Sequence, residues 1–256
     1  MPSAGPDAGH WLRPDWPAPC AARALVGTRH GGSLRLDAAD PQVAERRRRF
    51  AAELGAEPTW MHQVHGVRVL RLNAESAAQP QTADAAITRT PGLACAVFAA
   101  DCLPVLLSSD DGRIVGAAHA GWRGLAAGVL QATVQAMCDE AGCEPDALQA
   151  WLGPCIGARQ FEVGAEVLQA FGADPDDHAA TDAATDAAFV RRDRPDGAAR
   201  WLADLPLLAR RRLQAAGVTR IGGGHWCTVE QRSGFFSFRG GDRLGRFGAA
   251  IACAAP

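Results

Sequence analysis

The chain has 256 residues, 48% of them hydrophobic, and a formal net charge of −2. That length buries a core without disulfide support, so the eight scattered cysteines, with no CxxC pair among them, read as mostly reduced core residues rather than a disulfide framework. The charge balance supplies no overall basic field for nucleic acid. The prolines and acids of the first twenty residues interrupt the apolar run a signal peptide needs, no apolar stretch is long enough to span a bilayer, and a cytoplasmic location is expected. All 26 cations are arginine and tyrosine is absent, so neither a Schiff-base lysine nor a phenolic acid or base is available.

After a Pro-rich lead-in over residues 1–22, Ala24 to Thr28 reads as a strand, and Gly31-Gly32 marks the turn after it. A helix is predicted over 41–55, with Pro41 at its start, Gly55 at its end and the Arg46 to Arg49 run on its solvated side. Trp60 to Leu72 suggests two strand pieces around a bend at Gly66. Residues 94–124 hold two apolar β-rich runs separated by Ser109-Asp110-Asp111-Gly112, a hairpin signal. Pairing Ser109 with Gly112 sets Cys102 opposite His119, about 5 Å apart on one face. Pro104 cannot donate to a ladder, which predicts an edge or bulged strand near Cys102.

A helix over 125–141 follows, stopped by Gly142. Its first turn, with Arg123, is a candidate anion site. Next come a turn-rich stretch over 151–157, a helix over 161–171, a long loop over 172–200 with room for one strand, a helix over 204–216, and strands near 218–222 and 247–253. Without a βαβ alternation, the fold class is α+β, and the chain is expected to form a single domain over 1–256.

Two imidazoles and a thiolate, His65, Cys102 and His119, arriving from separate strands suit Zn²⁺ with a fourth position open, the catalytic pattern. Such a position lowers the pKa of a bound water toward neutrality. Each residue also has an ordinary reading: a satisfied histidine, or a packed thiol. His62 lies an odd number of residues from His65, pointing to the opposite strand face, and is left out.

The strings QVHG, ADCLPVLL, VGAAHAGWRG, GPCIG, FEVGAEV and FFSFRGGDRLGR, between residues 24 and 253, resemble the YfiH family. Its members carry the names laccase-domain protein, purine nucleoside phosphorylase, polyphenol oxidase and peptidoglycan editing factor. The resemblance implies mixed sheets between helices in four α/β/β/α layers, and His65, Cys102 and His119 as the Zn²⁺ ligands, with Cu²⁺ the alternative ion. It also places Arg29, Asp84, Asp101, Arg123, Glu162 and Arg239 along the same cleft.

From that resemblance, phosphorolysis of adenosine, inosine, guanosine or 5′-methylthioadenosine is expected, with adenosine deamination as a side activity. Phosphate falls to Arg29, Arg123 and Arg239, with Asp84 in the same group. Proton transfer falls to Asp101 or Glu162, and Cys102 and His119 carry the chemistry. Two alternatives stand. One is hydrolysis of a cell-wall precursor amide at the same site, with Cys102 as nucleophile and His119 as base. The other is a non-catalytic metal module closed by a fourth ligand such as His30, Cys155 or His225. Cys155 and Cys227 otherwise read as packed thiols.

A multicopper oxidase needs about ten His ligands, partly as His-x-His, whereas this chain has seven His and no such pair. Nucleoside and phosphate are the expected partners, with no nucleic acid or membrane, and a monomer or weak homodimer is expected. Two departures from the family pattern stand out: a shortened loop after Gly31-Gly32-Ser33-Leu34, and Phe238 in place of a frequent tyrosine.

Overall fold

A computed structural model describes residues 9–35, 40–76, 79, 81–175 and 188–254. Apolar side chains alternate between two faces along its central strands, and both faces are covered. The first sheet runs in the order β1 (Trp11–Leu12), β2 (Arg23–Gly27), β14 (Phe247–Ala252), β6 (Leu93–Ala99), β3 (Glu57–Trp60). The second runs β13 (Arg220–Gly223), β9 (Leu148–Leu152), β7 (Leu103–Ser109), β8 (Val115–Ala120), β5 (Ala85–Thr88), β4 (Val69–Leu72). Both are mixed, since β3 runs parallel to β6, β4 to β5 and β13 to β9. A small third sheet joins β10 (Glu162–Val163), β12 (Trp201–Ala203) and β11 (Phe189–Arg191).

Helix α1 (Val43–Leu54) lays Phe50 and Leu54 on Leu25, Ala94, Ala96 and Ala250. The opposite face of that sheet, with Val26, Val97 and Ile251, meets Leu106, Ala117 and Trp151 of the second sheet. The far face of the second sheet, with Ile87, Val105 and Ala118, receives Val134 and Met137 of α3 (Val129–Ala141) and Leu208 and Leu213 of α5 (Leu205–Ala215). The layers are therefore α/β/β/α, an α+β fold. Each fully buried Leu, Val or Phe contributes about 1.5–3 kcal/mol to holding them together. Among the described residues no helix is long and apolar enough to cross a membrane.

Several expectations change. The run from Ala94 is not one strand: the chain leaves the first sheet after β6, turns at Asp101-Cys102 and enters the second as β7. The β7–β8 hairpin is also longer than its turn signal suggests. Ser109 bonds Ile114 (N–H···O 3.1 Å), with Gly112 at φ 65° inside the loop, so Pro104 rather than Cys102 faces His119. Strand β7 lies between β8 and β9, not at an edge; Pro104 is accommodated as its second residue.

Trp60 and Leu72 end up in different sheets, joined by a loop that holds His65. Arg47 lies over the Trp60 and Phe98 rings, 5.0 and 5.3 Å from their centroids, instead of in solvent. The helix expected over 125–141 begins at Trp122 and breaks at Gly128, φ 101°, into α2 (Trp122–Ala127) and α3. Trp151 and Leu152 belong to β9. The 161–171 segment splits into β10 and α4 (Ala165–Ala170). The long loop over 172–200 contains β11, and its residues 176–187 lie outside those described. The two-residue β1, the four-residue β5 and the three-residue β12 were not anticipated, being too short to show periodicity.

Candidate metal centre

One buried carboxylate organises the site. Asp84, wholly buried, accepts the backbone N–H groups of Val64 (3.1 Å), His65 (2.8 Å) and Gly66 (2.7 Å), folding the loop around itself. These bonds hold His65 at φ 62°, a left-handed conformation that costs a non-glycine residue about 1–2 kcal/mol. The Asp84 Oδ1 also accepts from His119 Nδ1 at 2.9 Å, and the His119 backbone N–H donates to the Asp84 carbonyl at 2.7 Å. With its Nδ1–H committed, the His119 ring keeps Nε2 free as a ligand atom, the usual arrangement behind a metal-bound imidazole.

Cys102 is positioned by Asp101, whose φ is 90°. The Asp101 carboxylate accepts from the Thr228 hydroxyl (2.6 Å), the Ser237 hydroxyl (2.7 Å) and the Arg239 backbone N–H (2.6 Å), and its carbonyl accepts from Ile156 N–H (2.9 Å). The strained corner is thereby tied to the segments around Thr228 and Ser237. Cys102 Sγ lies 3.7 Å from His65 Nε2, and the ligand atoms of His65, Cys102 and His119 all fall within 4.8 Å of one another. Tetrahedral Zn²⁺ with bonds of about 2.3 Å to sulfur and 2.0 Å to nitrogen needs an S···N edge of about 3.5 Å, so the Cys102–His65 edge fits an ion as it stands and the full set fits one on drawing closer.

Gly121 makes room for that set. A Cβ there would stand 2.7 Å from His65 Cδ2 and 3.0 Å from Cys102 Sγ. We expect Gly121→Ala to lower metal affinity at least about tenfold without removing a ligand, because overpacking a rigid site moves the ligands or costs about 1–3 kcal/mol. Equilibrium metal titration checks this, and unchanged affinity would show that the site yields easily.

Burial disfavours a charge on Cys102, yet hydrogen bonds from His119 and His65, with their charge, outweigh it and bring the thiol down to about 6. Burial likewise disfavours protonated His119, but Asp84 and Cys102 outweigh it and raise the ring to about 9. Without an ion the pair is a thiolate beside an imidazolium, the ligand form of cysteine already prepared.

The remaining predicted residues take differing places. Asp84 is wholly buried and bonds both the His65 backbone and the His119 ring, so it positions two of the three clustered residues. Asp101 has both carboxylate oxygens engaged by three donors, so it braces the corner rather than shuttling protons. Arg29 pairs with Asp242, donates to the Phe235 carbonyl at 3.2 and 3.1 Å and lies 4.6 Å over the Phe236 ring, which ties it to the C-terminal loop. Arg123 is exposed, 4.2 Å over the Trp122 ring, and the helix there begins after Gly121, not at Gly124.

Glu162 and Arg239 line a cavity of about 610 Å³ together with Trp122, Arg194 and Arg200. Glu162 pairs with Arg194, which holds its carboxyl below the usual range. Arg239 donates to the Glu162 carbonyl at 3.2 Å. This cavity adjoins the cluster through Trp122, the neighbour of Gly121, and through Arg239, which is bonded to Asp101. Among the described residues the ligand cluster contains only His65, Cys102 and His119. His62, as expected, stands outside it, and so do His30, Cys155 and His225. Cys155 and Cys227 are buried bridge partners. Phe238 is 52% exposed, so a tyrosine hydroxyl there would reach solvent. Arg194, Arg200 and Thr228 carried no sequence signal, and Ser237 was passed over inside the FFSFRGGDRLGR string, whereas the glycines of the HAGWRG string marked where Gly121 must be bare.

Residues 31–254 match the family described as multi-copper polyphenol oxidoreductase laccase. The chain is 46% identical to a protein of Pseudomonas aeruginosa named purine nucleoside phosphorylase, covering 94% of this chain and 97% of that one. It is 44% identical to Escherichia coli YfiH, also named purine nucleoside phosphorylase, covering 93% and 96%. The crystal structure of Neisseria meningitidis protein NMB0706 superposes with TM-score 0.82 at 39% identity over 96% of this chain and all of that one. YlmD of Geobacillus stearothermophilus superposes with TM-score 0.81 at 27% identity, covering 97% of each chain. Sequence and fold agree, and the chain belongs to the laccase-domain, or YfiH, family.

Proposed function

We propose that this chain is a purine nucleoside phosphorylase whose centre holds one Zn²⁺ on His65, Cys102 and His119. The observation that carries the reading is the juxtaposition of that cluster, oriented by Asp84, with an arginine-lined cavity about the size of a nucleoside-binding pocket. An ion held there would supply a Lewis acid. Trp122 and Phe161 offer aromatic surface to a purine, and Arg200 and Arg239 offer guanidinium groups to phosphate, which planar N–H donors bind in pairs. Glu162, kept ionised by Arg194, accepts a proton rather than donating one, which also suits deamination of adenosine as a side reaction. Adenosine, inosine, guanosine and 5′-methylthioadenosine are the proposed substrates.

The test is purine release from adenosine and inosine, with and without phosphate, with bound metal quantified in parallel. Phosphate-dependent release at about one zinc per chain supports the reading; bound zinc with no nucleoside turnover sinks it. Within it, Arg200→Gln is expected to raise KM for phosphate about tenfold with kcat changed far less, the signature of lost ground-state binding.

One observation favours a second reading. Asp84, His119 and Cys102 form an orienting carboxylate, a base and a nucleophile in series, the arrangement that amide hydrolysis of a cell-wall precursor would use. Release of an amine from such a peptide by metal-stripped protein, absent in Cys102→Ser, would favour it over phosphorolysis.

A further inference from the structure

Helix α3 ends in a wrap that brings two thiols together. Gly142, at φ 64°, reverses the chain, and the Cys138 carbonyl accepts both the Gly142 N–H (2.8 Å) and the Cys143 N–H (3.3 Å). In such a C-terminal wrap the residue after the left-handed glycine folds back over the last helical turn, where an apolar contact usually forms. This chain has cysteine at both contact positions, and Cys143 is a side-chain hydrogen-bonding neighbour of Cys138. Each packs on the core edge with one side and meets solvent with the other. The other six cysteines differ. Cys95, Cys155, Cys227 and Cys253 are buried, Cys102 belongs to the metal centre, and Cys20 has Ser108 as its hydrogen-bonding partner.

We infer that Cys138 and Cys143 form a redox-active dithiol that closes to an intramolecular disulfide by exchange with a low-molecular-weight disulfide. The backbone hydrogen bond between the two residues already supplies the proximity a disulfide needs, so closure requires side-chain rotation and no unfolding of α3. Burial, with Cys143, Glu144 and Asp139 alongside, pushes the Cys138 thiol up to about 12, which leaves the first attack to Cys143; once the Cys143 sulfur is in the mixed disulfide its charge no longer opposes ionisation of Cys138. Cys143 loses its proton and attacks one sulfur of the small disulfide, forming a mixed disulfide and expelling one small thiolate, which takes up a proton. Cys138 then loses its proton and attacks the Cys143 sulfur, expelling the second small thiol. Two protein thiols are oxidised and one small disulfide is reduced to two thiols.

The helix end so clamped is already anchored. Arg89 donates to the Glu140 carbonyl at 3.1 Å, and Arg71 pairs with the Glu140 carboxylate at 3.4 Å. Met137, next to Cys138, packs beneath Gly116 of β8, where a Cβ would stand 3.0 Å from its sulfur. A disulfide there adds rigidity behind the strand that carries His119 and leaves the ligands untouched.

The test equilibrates the metal-loaded protein with mixtures of oxidised and reduced glutathione, followed by acid trapping, alkylation and mass spectrometry. Wild type is expected to lose two hydrogens and yield one cross-linked peptide joining Cys138 to Cys143. Cys138→Ser is expected to stop at a glutathione adduct on Cys143, and Cys143→Ser to form no cross-link. Oxidation should raise the wild-type thermal midpoint by roughly 5 °C, a shift absent from both variants, and basal activity should be the same in all reduced forms. A persistent glutathione adduct on wild type, a cross-link through Cys20 or Cys102, or failure to oxidise in excess oxidised glutathione would overturn the inference.

Discussion

Replacing Cys102 with alanine is expected to strip the protein of its bound ion and to lower phosphorolysis by at least about 10³-fold, the largest effect of any single change at the centre. The thiolate is the only anionic donor of the three, and without it two neutral imidazoles must hold the ion in an open site. The same change removes one of the two partners that hold the His119 charge, so the site loses electrostatic as well as geometric definition. Folding itself should suffer little, because Cys102 is partly exposed and its neighbours Asp101 and Leu103 keep their contacts. The expected loss of thermal stability is mainly the ion's own binding contribution and disappears when wild type is measured in chelator. Metal content and kcat/KM measured on one preparation decide the matter. Zinc retained by Cys102→Ala would remove the thiolate from the ligand set, and phosphorolysis surviving without zinc would separate the reaction from the metal.

The three clustered residues were legible in the sequence because each sits in a distinctive string, but their geometry was not. Index arithmetic on the hairpin placed Cys102 opposite His119; the observed register puts Pro104 there, and proximity arises from the chain crossing between sheets at Asp101-Cys102. The expected arrival of these residues from three strands likewise gave way to a loop, a corner and one strand, because His65 depends on backbone bonds to Asp84 from 18 to 20 residues away. Periodicity reports which face a side chain takes and says nothing about such long-range capture. Strand β9 escaped notice for a related reason. With both faces covered, Leu148–Leu152 is buried at every position and apolar except at Gln149, so it shows no alternation, and the Gly153-Pro154 turn beside it dominated the local signal. The flanking α5 and β14 were read nearly to the residue, since Asp204 caps the helix by accepting the Leu207 N–H and the last strand follows the polar, glycine-rich stretch from Gly240 to Arg246.

Asp84 concentrates the greatest structural cost in one side chain, and Asp84→Ala is expected to destabilise the metal-free protein by about 3–5 kcal/mol. Three backbone N–H groups and the His119 Nδ1–H would lose their acceptor in a place that water does not reach, and unpaired buried donors carry their full desolvation penalty. Burial disfavours the carboxylate, but the hydrogen bonds from His119, Gly66 and Val64 outweigh it and hold its pKa below the ordinary value. A depressed pKa in the folded state means that this stabilisation is complete well above the unfolded pKa of about 3.9 and is lost as the pH falls below it. Asp84→Asn separates structure from ligand control: an amide keeps one acceptor oxygen for the loop but no negative charge for His119, and its NH₂ faces groups that are themselves donors. We expect a smaller loss of stability than for alanine, with metal affinity still 10–100-fold lower, the range typical of a lost partner behind a ligating histidine. Denaturant unfolding in chelator reads the first quantity and competitive metal titration the second. If Asp84→Asn kept metal affinity within about threefold of wild type, below that range, His119 would have to be oriented by the strand β8 backbone alone, and Asp84 would be a loop staple with no role in the centre.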